Sequence, residues 1–258
     1  MLISPLFDGL IAILVLMLLL WLCSMYLENV SIVDLFWGPA IALAGCVYWF
    51  ETDMASSRAN LVVVLALLWA LRLGLFLYSR NSGKPEDRRY RDMRKRNDPG
   101  FRFKSLYLVF GLQAILAWIV GLPLYGAITS SAPLGILDGL GLVVFVFGLT
   151  WESVADQQLA NFLRTRENER AVMDKGVWRY SRHPNYFGEF CLWWALWLFA
   201  VSAGAAWTIV GPLVLSVFLF KVSGVALLEK DIGERRPEYQ AYIDRTAAFF
   251  PRRPREKH

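Results

Sequence analysis

The chain has 258 residues, 56% of them hydrophobic, and a formal net charge of +5 from 27 Lys and Arg against 22 Asp and Glu. That apolar share lies above the roughly 45–50% of ordinary soluble domains and excludes one. The basic excess lies in blocks between apolar runs, so it reads as membrane topology and not as nucleic-acid binding.

A helix crosses a bilayer with roughly 20 apolar residues. Seven such runs are predicted, at residues 9–27, 30–50, 59–79, 105–129, 134–151, 187–201 and 205–228. The first has no basic leader and no small-residue cleavage site, so it reads as a span and not as a signal peptide. Of the 27 Lys and Arg, 24 fall in three segments: ten in 80–104, six in 164–182 and eight in 230–257. Seven spans put all three segments on one face, which the positive-inside rule makes cytoplasmic. The expected fold is therefore all-α, a polytopic membrane protein with seven transmembrane helices. Its N-terminus is outside, its C-terminus is cytoplasmic, and it forms a single membrane-embedded domain. A bacterial chain of this kind belongs in the inner membrane.

Cys23, Cys46 and Cys191 lie in apolar runs and read as small buried hydrophobes. His183 is the one internal histidine, and no Cys/His cluster has metal-ligand spacing, so no metal is expected.

Charged groups inside spans cost free energy unless they are paired or solvated, which makes them functional candidates. In chain order the first is Asp34, in SIVDLFWG with Val33 and Trp37 beside it. Arg72 follows in WALRLG, with Trp69 three residues before it, and Lys221 stands in the last run. An Asp34–Arg72 pair that only neutralises charge between helices is the bland alternative. The basic segment RRYRDMRKRNDPGFRFK reads as a loop for lipid headgroups that sets orientation.

The fifth run continues into WESVADQQLANFLRTRENER. Glu152 and Asp156 are four apart and share a helical face, followed by Asn161, Arg164 and Arg166. Carboxylates there suit ribose hydroxyls or an amide, and the arginines suit phosphate. The segment KGVWRYSRHPNYFGEF then gathers Tyr180, Arg182, His183, Asn185, Tyr186 and Glu189 at a helix entrance. Free backbone N–H groups at such an entrance favour an anion. Together these groups point to a nucleotide-bearing cofactor. In the C-terminal segment, Glu229, Tyr239, Tyr242 and Arg245 are the expected inward-facing polar groups.

With these residues in place, the chain resembles the membrane-embedded steroid 5α-reductases (3-oxo-5α-steroid 4-dehydrogenases), particularly their bacterial homologues. The likeness covers SIVDLFWG, WALRLG, WESVADQQ, GVWRYSRHPNYFGE and EYQAYIDRTAAFFP. Its most specific piece is Gly176, Tyr180, Asn185, Tyr186, Gly188 and Glu189. The wider superfamily includes isoprenylcysteine methyltransferases and sterol reductases.

The resemblance implies substrate-side helices in about residues 1–104 and NADPH held by about residues 105–258. Matching positions carry the nucleotide-binding roles onto Glu152, Asp156, Arg164, Tyr180 and Asn185, with Glu229 and Tyr239 after them and Arg166 as an exchange for Arg164. The family's catalytic carboxylate falls on Asp34, the residue before it on Val33, and the tyrosine that polarises the ketone near Trp69. The implied reaction reduces the 4,5 double bond of a 3-oxo-Δ4 steroid or related lipid enone. Hydride goes to the β-carbon, and Asp34 is the acid at the carbonyl. No strand with GxGxxG is present, so a soluble dinucleotide fold does not apply. The expected partners are a steroid-like or lipid-like substrate and membrane lipids, with no nucleic acid, and the expected state is a monomer. The competing readings are an S-adenosylmethionine-dependent methyltransferase of the isoprenylcysteine type and a non-enzymatic scaffold.

Overall fold

The computed structural model describes residues 4–52, 56–165, 171–222 and 238–255. All regular structure in them is helical. Two compact units divide the chain: Met1–Gly135 with Phe199–Gly211, and Ile136–Leu198 with Pro212–His258. The helical stretches of residues 106–128, expected with the nucleotide half, belong to the first unit.

In the first unit α1 spans Pro5–Leu27, with Pro5 in the first turn, where a missing N–H is harmless. The second run, expected as one span over 30–50, is two helices. These are a single turn α2 (Ile32–Leu35) and α3 (Trp37–Phe50), separated at Phe36. Pro39 explains the restart. It has no N–H to donate to the carbonyl of Leu35, so the backbone cannot run through as one ladder. Helix α4 (Ser57–Asn81) starts on the Ser56 hydroxyl, which accepts the Ala59 N–H at 3.2 Å. Helix α3 packs between α1 and α4.

A short α5 (Arg88–Asn97) begins at Asp87, whose carboxylate accepts the Arg89 N–H at 2.8 Å. The fourth run is likewise broken into α6 (Phe101–Ser105), a π-helical stretch Leu106–Gly111, α7 (Leu112–Val120) and α8 (Leu122–Ile128). Pro123 accounts for the break at Gly121, because it cannot bond the carbonyl of Ile119. Buried Arg58 ties the far end of this unit together. Its guanidinium donates to the carbonyls of Ala132 (3.0 Å) and Pro133 (2.7 Å) and to the Ser202 hydroxyl (3.0 Å).

The second unit is built on α9 (Ile136–Thr165), whose 30 residues extend about 45 Å at ~1.5 Å each. It therefore runs on past the expected span 134–151 and carries Glu152 and Asp156 on one continuous helix. A 3₁₀ turn Gly176–Arg179 leads to α10 (Pro184–Ser202). The two helices meet at Gly148 and Gly188. A Cβ on Gly188 would lie 2.7 Å from the Glu152 backbone nitrogen, and one on Gly148 would lie 2.8 Å from the Gly188 oxygen. Only glycine permits this approach, which sets the main chain of α10 beside Glu152.

The last apolar run comprises a 3₁₀ turn Ala206–Ile209, α11 (Val210–Val217) and a π-helical turn Phe218–Val222; α12 (Glu238–Arg245) follows. Among the described residues four helical stretches are long and apolar enough to cross a bilayer: Pro5–Leu27, Ser57–Asn81, Phe101–Val120 and Ile136–Thr165. Trp37–Phe50 and Ala206–Lys221 are shorter apolar helices.

Candidate functional site

Asp34 sits on the one-turn α2, between the apolar helices α1 and α3. Its carboxyl group collects three donors. Arg89 Nη2 donates to Oδ2 at 2.8 Å, Tyr90 Oη to Oδ1 at 2.6 Å, and Gln113 Nε2 to Oδ1 at 3.4 Å. Gln113 also donates to Tyr90 Oη at 3.1 Å, closing a three-membered network. Burial pushes the Tyr90 phenol up, and the adjacent Asp34 charge pushes it further. It therefore remains an O–H donor throughout the neutral range. Arg89 is half exposed and connects the carboxyl to water, while the Asp34 side chain is only 21% exposed.

Helix α5 is held against α2 by its leading loop. Glu86 accepts the Val30 N–H at 2.8 Å and pairs with Arg94 at 2.8 Å, and the Asp87 N–H donates to the Ser31 hydroxyl at 2.7 Å. Asp87 is held below the usual carboxylate range. Its burial acts the other way, and the hydrogen bonds and charge of Arg89 prevail.

The ion-pair partner of Asp34 is thus Arg89, 55 residues away, and not Arg72. The Arg72 guanidinium lies over the Phe76 ring, 5.6 Å from its centroid. Val33 and Trp69, expected to touch substrate, are packed in the core at 0% and 1% exposure. Trp37 is partly exposed at the start of α3. Sequence reading missed Arg89, Tyr90 and Gln113. Gln113 did carry a signal, as the one amide inside the fourth apolar run. Tyr90 was hidden in a basic segment read only for its charge.

The second cluster lies within the second unit. Glu152 and Asp156 are buried on α9, and Asn185, in the first turn of α10, donates its amide to Asp156 Oδ1 at 3.2 Å. His183 is buried and stacks flat on Tyr186 at 5.7 Å. Glu189 is partly buried on α10, and Tyr180 is 40% exposed before it. Further along α9, Asn161 accepts from Gln157 at 2.8 Å and from exposed Arg164.

Other expected ligands of the cofactor have structural partners. Arg182 donates to the carbonyls of Ile243 (3.2 Å) and Thr246, and its own N–H bonds the Ala247 carbonyl at 2.9 Å. The buried Tyr242 hydroxyl donates to the carbonyls of Trp178 and Ser181, with Tyr239 edge-on to its ring. Arg245 pairs with Asp174. These contacts clamp α12 to the RYSRHPN segment and so hold α10's entrance in place. Ser181 Oγ accepts the His183 N–H at 3.1 Å, engaging one donor of that entrance. Arg166 and Glu229 lie outside the described residues.

The donor set fits a dinucleotide in kind. An acid–amide pair suits ribose hydroxyls or a carboxamide, and the exposed cations Arg164, Lys175 and Arg179 flank it in sequence and suit phosphates. Among the described residues no group of three or more His, Cys, Asp or Glu is placed to hold a metal ion.

Regular structure that is helical throughout the described residues, with several bilayer-length apolar helices, defines a polytopic membrane protein. The chain belongs to the family described as "Protein of unknown function (DUF1295)", which matches residues 20–246 and is a membrane family related to the steroid 5α-reductases. It is similar to an uncharacterized protein of Schizosaccharomyces pombe, 28% identical over 281 residues that cover 96% of this chain and 80% of the fungal one. No solved structure matches it.

Proposed function

We propose that this protein is a membrane-embedded, NADPH-dependent reductase of a lipid enone, with a 3-oxo-Δ4 steroid as the model substrate. The observation that carries the reading is the Asp34 network. It is a carboxyl group on a single turn between two apolar helices, oriented by a tyrosine and an amide and paired with a half-exposed arginine. As an enone accepts hydride at its β-carbon, negative charge grows on the carbonyl oxygen. An acid held at that oxygen stabilises the enolate. Asp34 takes this role in its protonated form, Tyr90 and Gln113 fix its orientation, and half-exposed Arg89 balances its charge when it is ionised. NADPH supplies the hydride. Asp156 and Asn185 take its ribose or carboxamide, and Arg164 with its neighbouring cations takes its phosphates. The relationship of the family to steroid 5α-reductases supports the same assignment.

The test is mass spectrometry of undialysed, detergent-purified protein for retained nucleotide, together with NADPH consumption on a 3-oxo-Δ4 steroid. Retained NADP(H) and a product heavier by two hydrogens are expected. Retained S-adenosylmethionine instead would move the protein to the methyltransferases.

The reading includes seven spans with the three basic segments on the cytoplasmic side, in the inner membrane if the chain is bacterial. Cysteine labels at Lys84 and Lys175 should then react only from the cytoplasm, and labels at Ser56 and Ser131 only from outside. Reaction of Lys84 and Lys175 from opposite faces would refute it.

A further inference from the structure

Helix α5 has two faces with opposite work. Tyr90, Met93, Arg94 and Asn97 follow the i, i+3, i+4, i+7 spacing of one face and are buried or half-buried against α2 and its neighbours. Arg88, Arg91, Asp92 and Lys95 repeat that spacing on the opposite face, with Arg96 beside them. Among the described residues Asp92 is the one acid of that outer stripe. It lies 3.6 Å from Arg88, itself 70% exposed, which leaves Arg91, Lys95 and Arg96 in excess. Residues 80–104 as a whole hold ten Lys and Arg against four Asp and Glu.

The stripe reaches the next bilayer-length helix, where Arg96 lines a cleft with Leu108, and exposed apolar side chains stand on the neighbouring helix ends. Phe103 (66%), Leu106 (36%) and Tyr107 (61%) begin the next bilayer-length helix, and Tyr26 (88%) ends α1. Trp21 of α1 donates its indole N–H to the Arg102 carbonyl at 3.1 Å, so these ends lie at one level. Between them is a cleft of about 290 Å³ lined by Ser24, Glu28, Arg94, Arg102 and Ser105. Cations next to exposed aromatic and aliphatic groups, at the end of apolar helices, match a phospholipid: headgroup on the charges, acyl chain along the hydrocarbon. A polynucleotide or free phosphate would have no use for the apolar rim.

We infer that α5 is a seat for anionic phospholipid, and that headgroups gathered on its outer stripe steady the inner face that grips Asp34. Charge neutralisation outside lowers the mutual repulsion of Arg88, Arg91, Lys95 and Arg96, which otherwise favours fraying of a ten-residue helix. A firmer α5 holds Arg89 and Tyr90 on Asp34, and Glu86 and Asp87 on Val30 and Ser31. The result is lipid-dependent order at the candidate site, a property that goes beyond the proposed reaction and is measured without it.

The full-length protein in detergent is titrated with phosphatidylglycerol or phosphatidylcholine and followed by native mass spectrometry. The wild type is expected to prefer phosphatidylglycerol. The triple variant Arg91→Gln, Lys95→Gln, Arg96→Gln should lose that preference by on the order of 100-fold. The control Arg252→Gln, Arg253→Gln should keep it. In nanodiscs, phosphatidylglycerol should slow hydrogen exchange at the Val30 and Asp87 amides of the wild type and not of the triple variant. Unchanged preference in the triple variant, equal loss in the control, or equal displacement by inorganic phosphate would overturn the seat. Binding without slower exchange would overturn its link to Asp34. Thermal unfolding of the triple variant in phosphatidylcholine, expected to match the wild type, shows that the fold is intact.

Discussion

Replacement of Asp34 by leucine is expected to lower enone reduction by about 10²–10³-fold, the usual loss when a donor to a developing oxyanion is removed. NADPH affinity should stay near that of the wild type, because the nucleotide is assigned to residues of α9 and α10. Asp34→Asn retains the shape and a neutral donor but no transferable proton, so it should fall between leucine and wild type. Asp34→Glu restores the acid that the steroid 5α-reductase resemblance implies at this position and should keep more activity than either. The measurement is steroid product mass per unit time in liposomes, with nucleotide titrated in parallel. Leucine also strips Arg89, Tyr90 and Gln113 of their shared acceptor, so Tyr90→Phe serves as the companion. It leaves the Arg89 pair intact and should lower turnover with little change in nucleotide binding. Turnover of Asp34→Leu at the wild-type rate would reduce the carboxyl group to a packing anchor for α5.

The second large effect is expected at Asn185. Its amide donates to Asp156 at the entrance of α10, and removal leaves a buried acceptor and a bound nucleotide each short of a donor. Such a loss amounts to about 1–3 kcal/mol, or roughly one to two orders of magnitude in NADPH affinity for Asn185→Ala. Titration of nucleotide fluorescence in detergent reads this directly. Asn185→Asp tests the sign. A second carboxylate beside Asp156 repels both that acid and the cofactor's phosphates, so it should bind more weakly than alanine. If both variants bind as the wild type does, the pair serves only helix packing. Thermal unfolding separates that outcome from misfolding.

Hydropathy located apolar helices, four of them bilayer-length among the described residues, because span length is set by bilayer thickness and needs no tertiary information. The same signal was blind to the breaks at Phe36 and Gly121. Apolar residues continue across both, and the cause is a single missing N–H at Pro39 or Pro123. The candidate carboxyl group was legible as an expensive charge in an apolar run, but its partners were not. Arg89, Tyr90 and Gln113 lie 55, 56 and 79 residues away, and no local spacing encodes contacts of that range. In the second unit, the acids on α9 and the amide on α10 could be read from helical spacing and position. The roles of Arg182 and Tyr242 could not. Both are polar groups near a helix mouth, and only the folded chain shows them bonded to backbone carbonyls about 60 residues away.

The interruption at Phe36 has a mechanical consequence. Asp34 rides on a single turn hung from the water-side loop through Val30, Ser31, Glu86 and Asp87, and not on the rod that enters the hydrocarbon. When a thicker or thinner bilayer tilts the long helices to match their apolar length, α3 can rotate about the joint at Phe36 while α2 stays with the loop. The carboxyl group thereby takes its position chiefly from the loop of Glu86 and Asp87, with Gln113 as its hydrogen-bonded link to a bilayer-length helix.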